Sequence, residues 1–401
     1  MTTHFDVIIV GAGMVGEAIA VALAQGNAGL KIAIVDPAYN KPAPNMGTGI
    51  NDYGMRVSAL SAQSQDFLTR LGAWQNIPQD RLSPYTGMHV WDAEGTGSVT
   101  FDAADLQVPA LGHIIENDQT QWALRLCVEA EESIQIFAEK VRYFDNRQED
   151  GYTPVVLEYG ETLNAKLIIG ADGALSRVRQ WAGLPTREWD YGHHAIVATV
   201  RTEKPNLATA WQRFRPEGPL AFLPMPHDPH LCSIVWSTSP EEAEQVLALN
   251  DEEFNAALTE ALEGKLGKVL ESSKKACIPL RQRHAKDYWC EGVVLAGDAA
   301  HSIHPLAGQG VNLAFKDAQV LTEEILRGHN KGLDIGSKHV LARYQRRRQA
   351  DNLAMMASME GFKQLFGADQ PLLRLLRNQG MNLFDKVLPV KQHIVMKAMG
   401  L

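Results

Sequence analysis

The sequence contains few cysteines, and none of them is spaced for metal binding or disulfide exchange. Its 401 residues include four cysteines and no C-x-x-C pair. A disulfide framework or a zinc site would require more cysteines or closer pairs. We therefore expect a reducing compartment and no metal site. The four cysteines are Cys127, Cys232, Cys277 and Cys290.

Long hydrophobic runs are also missing. No apolar run reaches the length of about 18 residues that a helix needs to cross a bilayer. The first six residues lead directly into an apolar segment, without the basic region and the longer apolar stretch of a secretory signal. The sequence therefore predicts a cytoplasmic protein that binds a membrane at most peripherally, at its inner face.

An excess of positive charge is absent as well. The chain has 38 lysines and arginines against 47 aspartates and glutamates, a net charge of -9. This balance argues against the basic surface that nucleic acid requires, so we expect no nucleic-acid partner. With 45% hydrophobic residues, the chain is large enough for a folded core and two domains. The sequence leaves open whether the protein forms a homo-oligomer.

Glycine, in contrast, is placed informatively near the N-terminus. Residues 5–10 form an apolar strand pattern that leads into Gly11-Ala-Gly13-Met-Val-Gly16, a small-residue helix, a second strand and Asp36. This order is the complete dinucleotide-binding fingerprint, in which the glycines permit a tight turn, close approach of a pyrophosphate and close helix packing. Asp36 is placed to bind a ribose diol, although a surface acid at a strand end is the alternative.

Two further strand-to-helix turns follow later in the chain. The apolar residues 167–169 lead to Asp172-Gly173, with Ser176 available to cap a helix and with one of the next two arginines expected to face inward. Residues 293–296 lead to Gly297-Asp298 and then to a glycine-rich turn before a helix at Val311. Such a helix start favours an electron-rich ligand. An ordinary capped turn is the alternative in both places.

The rest of the chain gives coarser predictions. Residues 56–60 are expected to begin a helix, with Arg56 contacting phosphate. Residues 185–285 contain strand patterns without long helices between them, which predicts an antiparallel sheet. Its apolar residues line a pocket or form core; the candidates are Phe222, Leu223, Met225 and Trp236. A long helix should run from Lys338 to about Met359, with the charge run 346–348 on a solvated face.

The C-terminal tail differs from the whole chain in charge. From residue 371 onward, five basic residues stand against Asp385, with leucines and methionines between them. A basic amphipathic tail can dock on a membrane surface or a partner. It can equally be a helix that packs on its own domain, and the sequence leaves both open.

The three turns, in this order, resemble those of the FAD-dependent aromatic hydroxylases of the para-hydroxybenzoate hydroxylase type. The stretches 56–60 (RVSAL) and 299–313 (AAHSIHPLAGQGVNL) are similar to the branch that hydroxylates polyprenylated rings in ubiquinone biosynthesis. Residues 189–200, 230–237 and 396–401 look most like the proteobacterial hydroxylases of 2-polyprenylphenols. The likeness covers essentially the whole chain.

The resemblance implies an α/β fold: a Rossmann-like FAD-binding domain, an inserted antiparallel-sheet substrate domain and C-terminal helices. The FAD-binding domain would comprise residues 1–73, 111–184 and 285–345, the substrate domain 74–110 and 185–284, and the C-terminal region 346–401. Pyrophosphate would lie on the first glycine turn and the ribityl chain on Asp298. The residues expected to bind FAD are Gly11, Gly13, Gly16, Asp36, Arg56, Asn117, Asp172, Gly173, Gly297, Asp298, Pro305, Gly308, Gln309, Gly310, Val311 and Asn312.

The same resemblance implies hydroxylation of a polyprenylated phenol by O2 through a flavin C4a-hydroperoxide, after NAD(P)H has reduced the flavin. Because the sequence has one complete dinucleotide fingerprint, the nicotinamide is expected to bind transiently. No side chain qualifies as a general base; His304 is near the flavin by inference, but a structural histidine in a turn is the favoured interpretation. Alternatives are a later-step ring hydroxylase, a prenyl reductase of the same fold, or a non-catalytic flavin subunit of a membrane-associated biosynthetic complex. A halogenase is disfavoured because its W-x-W-x-I-P stretch is missing.

Overall fold

The structure is a computed structural model that describes residues 3–26, 29–145, 148, 150–302, 310–366, 370–386 and 392. The strands in the first half of the chain are β1 (Thr3–Val10), β2 (Ile32–Val35), β3 (Val57–Leu60), β4 (Ser83–Tyr85), β5 (Gly87–Asp92), β6 (Ser98–Asp102), β7 (Gly112–Glu116), β8 (Ile134–Phe137), β9 (Val141–Phe144), β10 (Thr153–Leu157) and β11 (Thr162–Gly170). The later strands are β12 (Thr186–Thr202), β13 (Thr209–Arg215), β14 (Gly218–Pro224), β15 (Leu231–Thr238), β16 (Val269–Ser272), β17 (Ala276–Ala285), β18 (Trp289–Cys290), β19 (Val293–Leu295) and β20 (His301–Ser302). The helices are α1 (Met14–Gln25), α2 (Ala62–Arg70), α3 (Asn117–Glu129), α4 (Arg177–Trp181), α5 (Pro240–Ala248), α6 (Asp251–Ala261), α7 (Gly310–His329), α8 (Lys338–Phe366) and α9 (Pro371–Lys386).

The first sheet has a parallel centre. Its strand order is β18-β19-β11-β1-β2-β8, with β10 and β9 added beside β11. The neighbours β19, β11, β1, β2 and β8 run parallel. Val7, Ile8 and Ile9 in its central strand are fully buried, as expected where helices cover both faces of a parallel sheet. Parallel strands end at one edge, so the segments that follow β1, β11 and β19 lie side by side.

The second sheet has the order β20-β17-β12-β15-β14-β13-β5-β6, with β16 beside β12. The predicted antiparallel arrangement is confirmed except that β13 and β5 pair in parallel. On one face, Ile196, Phe222 and Trp236 form an apolar core together with Phe254 of α6. Phe222 and Trp236 are therefore core residues and do not line a pocket, because alternate residues of a strand face opposite sides. Leu223 and Met225 belong to a different cluster, on the other side.

A small sheet, β3-β7-β4, corrects one prediction. Residues 57–60 form a strand that pairs with β7, whereas the sequence predicted the start of a helix. The helix begins only at Ala62, where the Ser61 side chain accepts a hydrogen bond of 3.3 Å from the Ser64 backbone N–H. The Ser61 cap depends only on neighbouring residues. The extended conformation of residues 57–60 depends on pairing with β7, which is distant in the sequence.

The long helix α8 corrects a second prediction, since its charge run is not uniformly solvated. Arg348 is fully buried and its Nε donates to Asp317 Oδ1 at 2.7 Å, while Arg347 remains on the surface. Successive helix residues are rotated by about 100°, so three adjacent arginines cannot share one face. Arg348 lies on the inner face.

The helix α8 also extends beyond its predicted end, to Phe366. Near its start, the Tyr344 hydroxyl donates to the carbonyl of Leu295, at the end of β19, at 3.1 Å. At its end, the Phe366 ring stacks on Phe214 of β13 with centroids 3.9 Å apart. One helix therefore contacts both large sheets.

The helix α9 packs on the second sheet. Arg377 and Asp92 form a buried pair, with Nε to Oδ2 at 2.7 Å, and Asn378 donates to the same carboxylate at 2.9 Å. For this helix the structure thus favours packing on its own domain. Residues 387–391 and 393–401 lie outside the described residues. Among the described helices, none combines the length and the apolarity that a bilayer span requires.

Candidate functional site

The three predicted turns meet at one edge of the parallel sheet. The Ala171 N–H donates to the Val10 carbonyl at 2.9 Å, and the Ala296 N–H donates to the Gly170 carbonyl at 3.0 Å. These bonds continue the ladders of β1, β11 and β19 past the strand ends. The turns at Gly11 and Asp172 are therefore direct neighbours, and the turn at Gly297 is next to them.

The glycines of the first turn differ in what surrounds them. Gly11 has a φ of +109°, and a Cβ there would lie 2.4 Å from the Ala171 carbonyl oxygen of the second turn. A Cβ on Gly16 would lie 1.9 Å from the Gly11 carbonyl oxygen, which brings α1 close to its strand. A Cβ on Gly13 would meet no protein atom within 4 Å. Two glycines thus permit tight packing, and the third leaves the backbone open to a ligand.

The N-terminus of α1 is free of a side-chain cap, since Gly13 occupies the capping position. Its exposed N–H groups suit a pyrophosphate. Asp36 holds this turn through its Oδ2, which accepts from the Ala12 N–H at 2.7 Å, and its Oδ1 accepts from the Ala38 N–H at 2.7 Å. Gln121 of α3 donates to the Ala12 carbonyl at 2.6 Å. The sequence analysis did not identify Gln121 as a site residue, because α3 is brought next to the first turn only by the fold.

Asp298 lies in a single 3-10 turn, Gly297–Ala299, directly after β19. Its side chain is accessible to solvent although protein surrounds it, which places it in a crevice. Burial raises the pKa of Asp298, while nearby His301 and Arg56 act to lower it. The crevice therefore holds a carboxylate that gains from new hydrogen-bond donors, such as sugar hydroxyls.

The second turn is tied to the third by a buried arginine. Arg179 donates to the Ala174 carbonyl at 2.9 Å and to the Ala299 carbonyl at 2.7 Å, while Arg177 is exposed. The expectation that one of these two arginines faces inward is confirmed. Asp172 Oδ2 caps α4 by accepting from the Arg177 N–H at 2.7 Å. Its Oδ1 is buried and has no hydrogen-bond partner among the described residues.

Behind the third turn, Asp317 of α7 forms the centre of a buried polar cluster. Its carboxylate accepts from the Gly297 N–H at 3.2 Å, from His301 Nε2 and from Arg348. Burial acts to raise the pKa of Asp317, but His301 and Arg348 outweigh it and hold that pKa below its usual value. The ionised carboxylate fixes the residue that precedes Asp298.

The cluster continues through Asn352, which donates to Asp317 at 3.2 Å and to the Tyr288 hydroxyl at 3.1 Å. The Tyr288 oxygen therefore accepts one bond, and its hydrogen is free for His284 Nε2 at 3.0 Å. Burial, followed by the charge of His301, lowers the pKa of His284 to about 4, so this nitrogen is an acceptor at neutral pH. No sequence pattern predicts this cluster, because its members come from separate elements.

Two other predicted site residues, Asn117 and Asn312, form hydrogen bonds at or next to β3. Asn117 begins α3, donates from its backbone to the Arg56 carbonyl at 2.9 Å and accepts from the Ser58 hydroxyl at 2.6 Å. Asn312 donates to the Ala59 carbonyl at 2.8 Å, so its side chain ties α7 to β3. Gly310 and Val311 precede it in α7, Gly173 has open space around its Cβ position, and Pro305, Gly308 and Gln309, like His304, lie outside the described residues.

We expect Asp298→Asn to leave the cofactor-free protein at least as stable, because the pKa of Asp298 is raised and the amide removes a charge from the crevice. Its affinity for a polyhydroxylated cofactor should fall about tenfold to a hundredfold, as for the loss of a charged hydrogen-bond acceptor. Titration with FAD and thermal unfolding of the apoprotein check both effects. A loss of stability without a loss of affinity would contradict this role.

Comparisons with known proteins agree with this geometry. The chain matches a family profile described as "FAD binding domain" over residues 4–358. It is 37% identical over 396 residues to the 3-demethoxyubiquinol 3-hydroxylase of Escherichia coli, covering 99% of this chain and 98% of that protein. It is 33% identical over 435 residues to the ubiquinone biosynthesis monooxygenase COQ6 of Xenopus tropicalis, covering 98% and 92%. The ubiquinone hydroxylase UbiL of Rhodospirillum rubrum is 32% identical over 395 residues, covering 98% and 89%.

Solved structures confirm the predicted fold class. The p-nitrophenol 4-monooxygenase PnpA of Pseudomonas putida superposes with a TM-score of 0.77 at 20% identity, covering 100% of this chain and 99% of that one. PqsL of Pseudomonas aeruginosa in complex with 2-aminobenzoylacetate gives 0.76 at 21% identity, covering 96% and 100%. The family profile spans most of the chain, and the relatives match almost end to end. The chain therefore belongs to the FAD-binding monooxygenase family and is an FAD-dependent monooxygenase.

Proposed function

We propose that this enzyme hydroxylates the aromatic ring of a polyprenylated phenol in ubiquinone biosynthesis. The observation that carries the proposal is the crevice where the three turns converge. It has free space beside the Gly13 backbone and contains the solvent-accessible carboxylate of Asp298. The pathway is inferred from relatives of almost equal length whose names refer to ubiquinone biosynthesis or to hydroxylation of ubiquinone rings.

The ring position is a narrower proposal. Stretches of the sequence favour a 2-polyprenylphenol, whereas the relative from Escherichia coli is named for 3-demethoxyubiquinol. Both substrates are electron-rich rings with an oxygen substituent and a prenyl chain. A panel of prenylated rings that differ only in their oxygen substituents separates the two steps.

The residues of the crevice fit FAD. The open backbone at Gly13 and the uncapped start of α1 would hold its pyrophosphate, Asp36 its adenosine ribose and Asp298 its ribityl chain. Arg56, Asn117 and the start of α7 would contact the rest of the cofactor, and the unpartnered Asp172 Oδ1 would accept from it or from the reductant. Bound FAD supplies the redox chemistry and the activation of O2. The protein orients the ring and excludes water.

The reductant is proposed to be NAD(P)H, bound transiently. We also propose that the enzyme binds other proteins of a biosynthetic assembly, that it forms a homo-oligomer, and that the tail after Lys386 contacts a membrane surface. Vesicle sedimentation of the full chain and of a chain that ends at residue 386 would test the last of these.

A set of three measurements tests the function. The purified protein should carry FAD, NADH or NADPH should bleach it without oxygen, and a polyprenylphenol should then stimulate O2 uptake with a product heavier by one oxygen atom. A prenyl reductase would consume no O2. A flavin subunit without catalysis would let Asp298→Ala rescue a deletion strain, and we expect no rescue.

A further inference from the structure

We propose that Gln212 of β13 recognises an oxygen substituent on the aromatic ring of the substrate. This inference rests on the proposed function, because it concerns how the ring is bound. It follows from the position, burial and hydrogen bonding of one side chain.

The position of Gln212 follows from the register of the second sheet. Val197, Val235, Ala221 and Gln212 lie opposite one another on β12, β15, β14 and β13 and form one row across the sheet. The residues adjacent to them in sequence, such as Phe222 and Trp236, pack in the core that includes α6. Because side chains alternate along a strand, the row faces the opposite side. That side is where the flavin-binding part of the chain lies.

Contacts link this row to the start of α7. Ala221, beside Gln212, belongs to the same apolar cluster as Ala59 of β3. The carbonyl of Ala59 accepts a hydrogen bond from the side chain of Asn312, in the first turn of α7, which is proposed to contact the cofactor. The apolar cluster therefore connects the row that contains Gln212 to the start of α7.

The amide of Gln212 is unusual for its environment. The residue is only 5% exposed, yet its side chain makes no hydrogen bond to any described residue. Its register neighbours Ala221 and Val90 are apolar. The amide nitrogen and oxygen are not among the buried polar atoms that lack a partner, so both atoms are accessible to solvent although the residue as a whole is buried. The amide is thus available to a ligand on this side of the sheet.

The row also contains room for such a ligand. Val235 is partly exposed although β15 lies between β12 and β14 in the interior of the sheet. An inward-facing residue of an interior strand is exposed only where the covering layer leaves a gap. Strands lie about 4.8 Å apart, so Val235 and Gln212 span the width of one aromatic ring with its substituents. An amide both donates and accepts, so it can bind a phenolic hydroxyl or a methoxy oxygen.

The test compares Gln212→Met, which keeps the length of the side chain and removes its hydrogen bonds, with Gln245→Leu, an exposed glutamine on α5. Binding of a short-chain prenylphenol and of the same prenylated ring without oxygen is measured by perturbation of the flavin spectrum in the holoenzyme. Wild type and Gln245→Leu should prefer the phenol about tenfold to a hundredfold. Gln212→Met should bind both rings with similar affinity.

Thermal unfolding separates recognition from a structural role. Because the amide of Gln212 has no partner to lose, Gln212→Met should unfold at the same or a higher temperature in the absence of ligand. A lower unfolding temperature, an unchanged preference for the phenol, or a wild-type protein that binds neither ring would overturn the inference. Binding that depends on Gln212 without any hydroxylation would instead refute the proposed function and leave the recognition intact.

Discussion

Arg348→Met is expected to destabilise the protein by about 3–5 kcal/mol, as for the removal of one partner of a buried ion pair. The substitution leaves Asp317 ionised, buried and without the guanidinium of Arg348, although Asn352 and His301 remain. Urea unfolding of the apoprotein, followed by tryptophan fluorescence, measures the change. The affinity for FAD should fall as well, because Asp317 holds the Gly297 N–H beside Asp298.

The neighbouring arginine supplies a matched control. Arg347→Met makes the same change one residue earlier on α8, where the guanidinium is 41% exposed and pairs with Glu323 and Glu324. The exposed pair with Glu323 contributes only about 0–1 kcal/mol. Glu324 is buried but keeps Arg327 and Arg343 as partners, so this variant should lose much less stability than Arg348→Met. Equal effects of the two substitutions would show that the buried cluster has no special role.

Gly13→Val is expected to abolish retention of FAD while the apoprotein still folds. The Cβ position of Gly13 is open on the protein side and its φ is −82°, so a branched side chain is compatible with the fold. The same side chain would occupy the space proposed for the pyrophosphate. We expect the dissociation constant for FAD to rise at least about a hundredfold, equivalent to about 2.8 kcal/mol. Fluorescence titration of the apoprotein with FAD measures it.

Gly11→Ala is the comparison variant. Its Cβ would lie 2.4 Å from the backbone of the second turn, at a φ that suits glycine. This variant should lose stability and FAD affinity together. If Gly13→Val bound FAD normally, the pyrophosphate would not lie on this turn, and the proposed site would be wrong.

The difference between these two pairs of variants reflects what a sequence can predict. The conformation of the glycine turns was predictable because it depends on local geometry, a strand followed by a turn and a helix start within about ten residues. The strand at residues 57–60 was mistaken for a helix because its partner, β7, is distant in the sequence. Arg348 was mistaken for a surface residue because its partner, Asp317, lies on another helix.

The substrate side was the least predictable part. Phe222 and Leu223 are adjacent and both apolar, and the sequence offered both as pocket residues. Only the register of the sheet shows that they face opposite sides. Gln212 gave no signal in the sequence, because a glutamine in a strand is ordinary until its lack of partners is known.

The helix α8 limits how far the two large sheets can separate. Its 29 residues extend about 43 Å at 1.5 Å per residue, and the Tyr344 contact with β19 and the Phe366 stack on β13 lie about 33 Å apart along it. A continuous helix that contacts both sheets resists their separation. The sheets could move apart only if α8 bent or the stacking of Phe366 on Phe214 were lost. The two large sheets are therefore expected to keep their relative positions when a ligand binds.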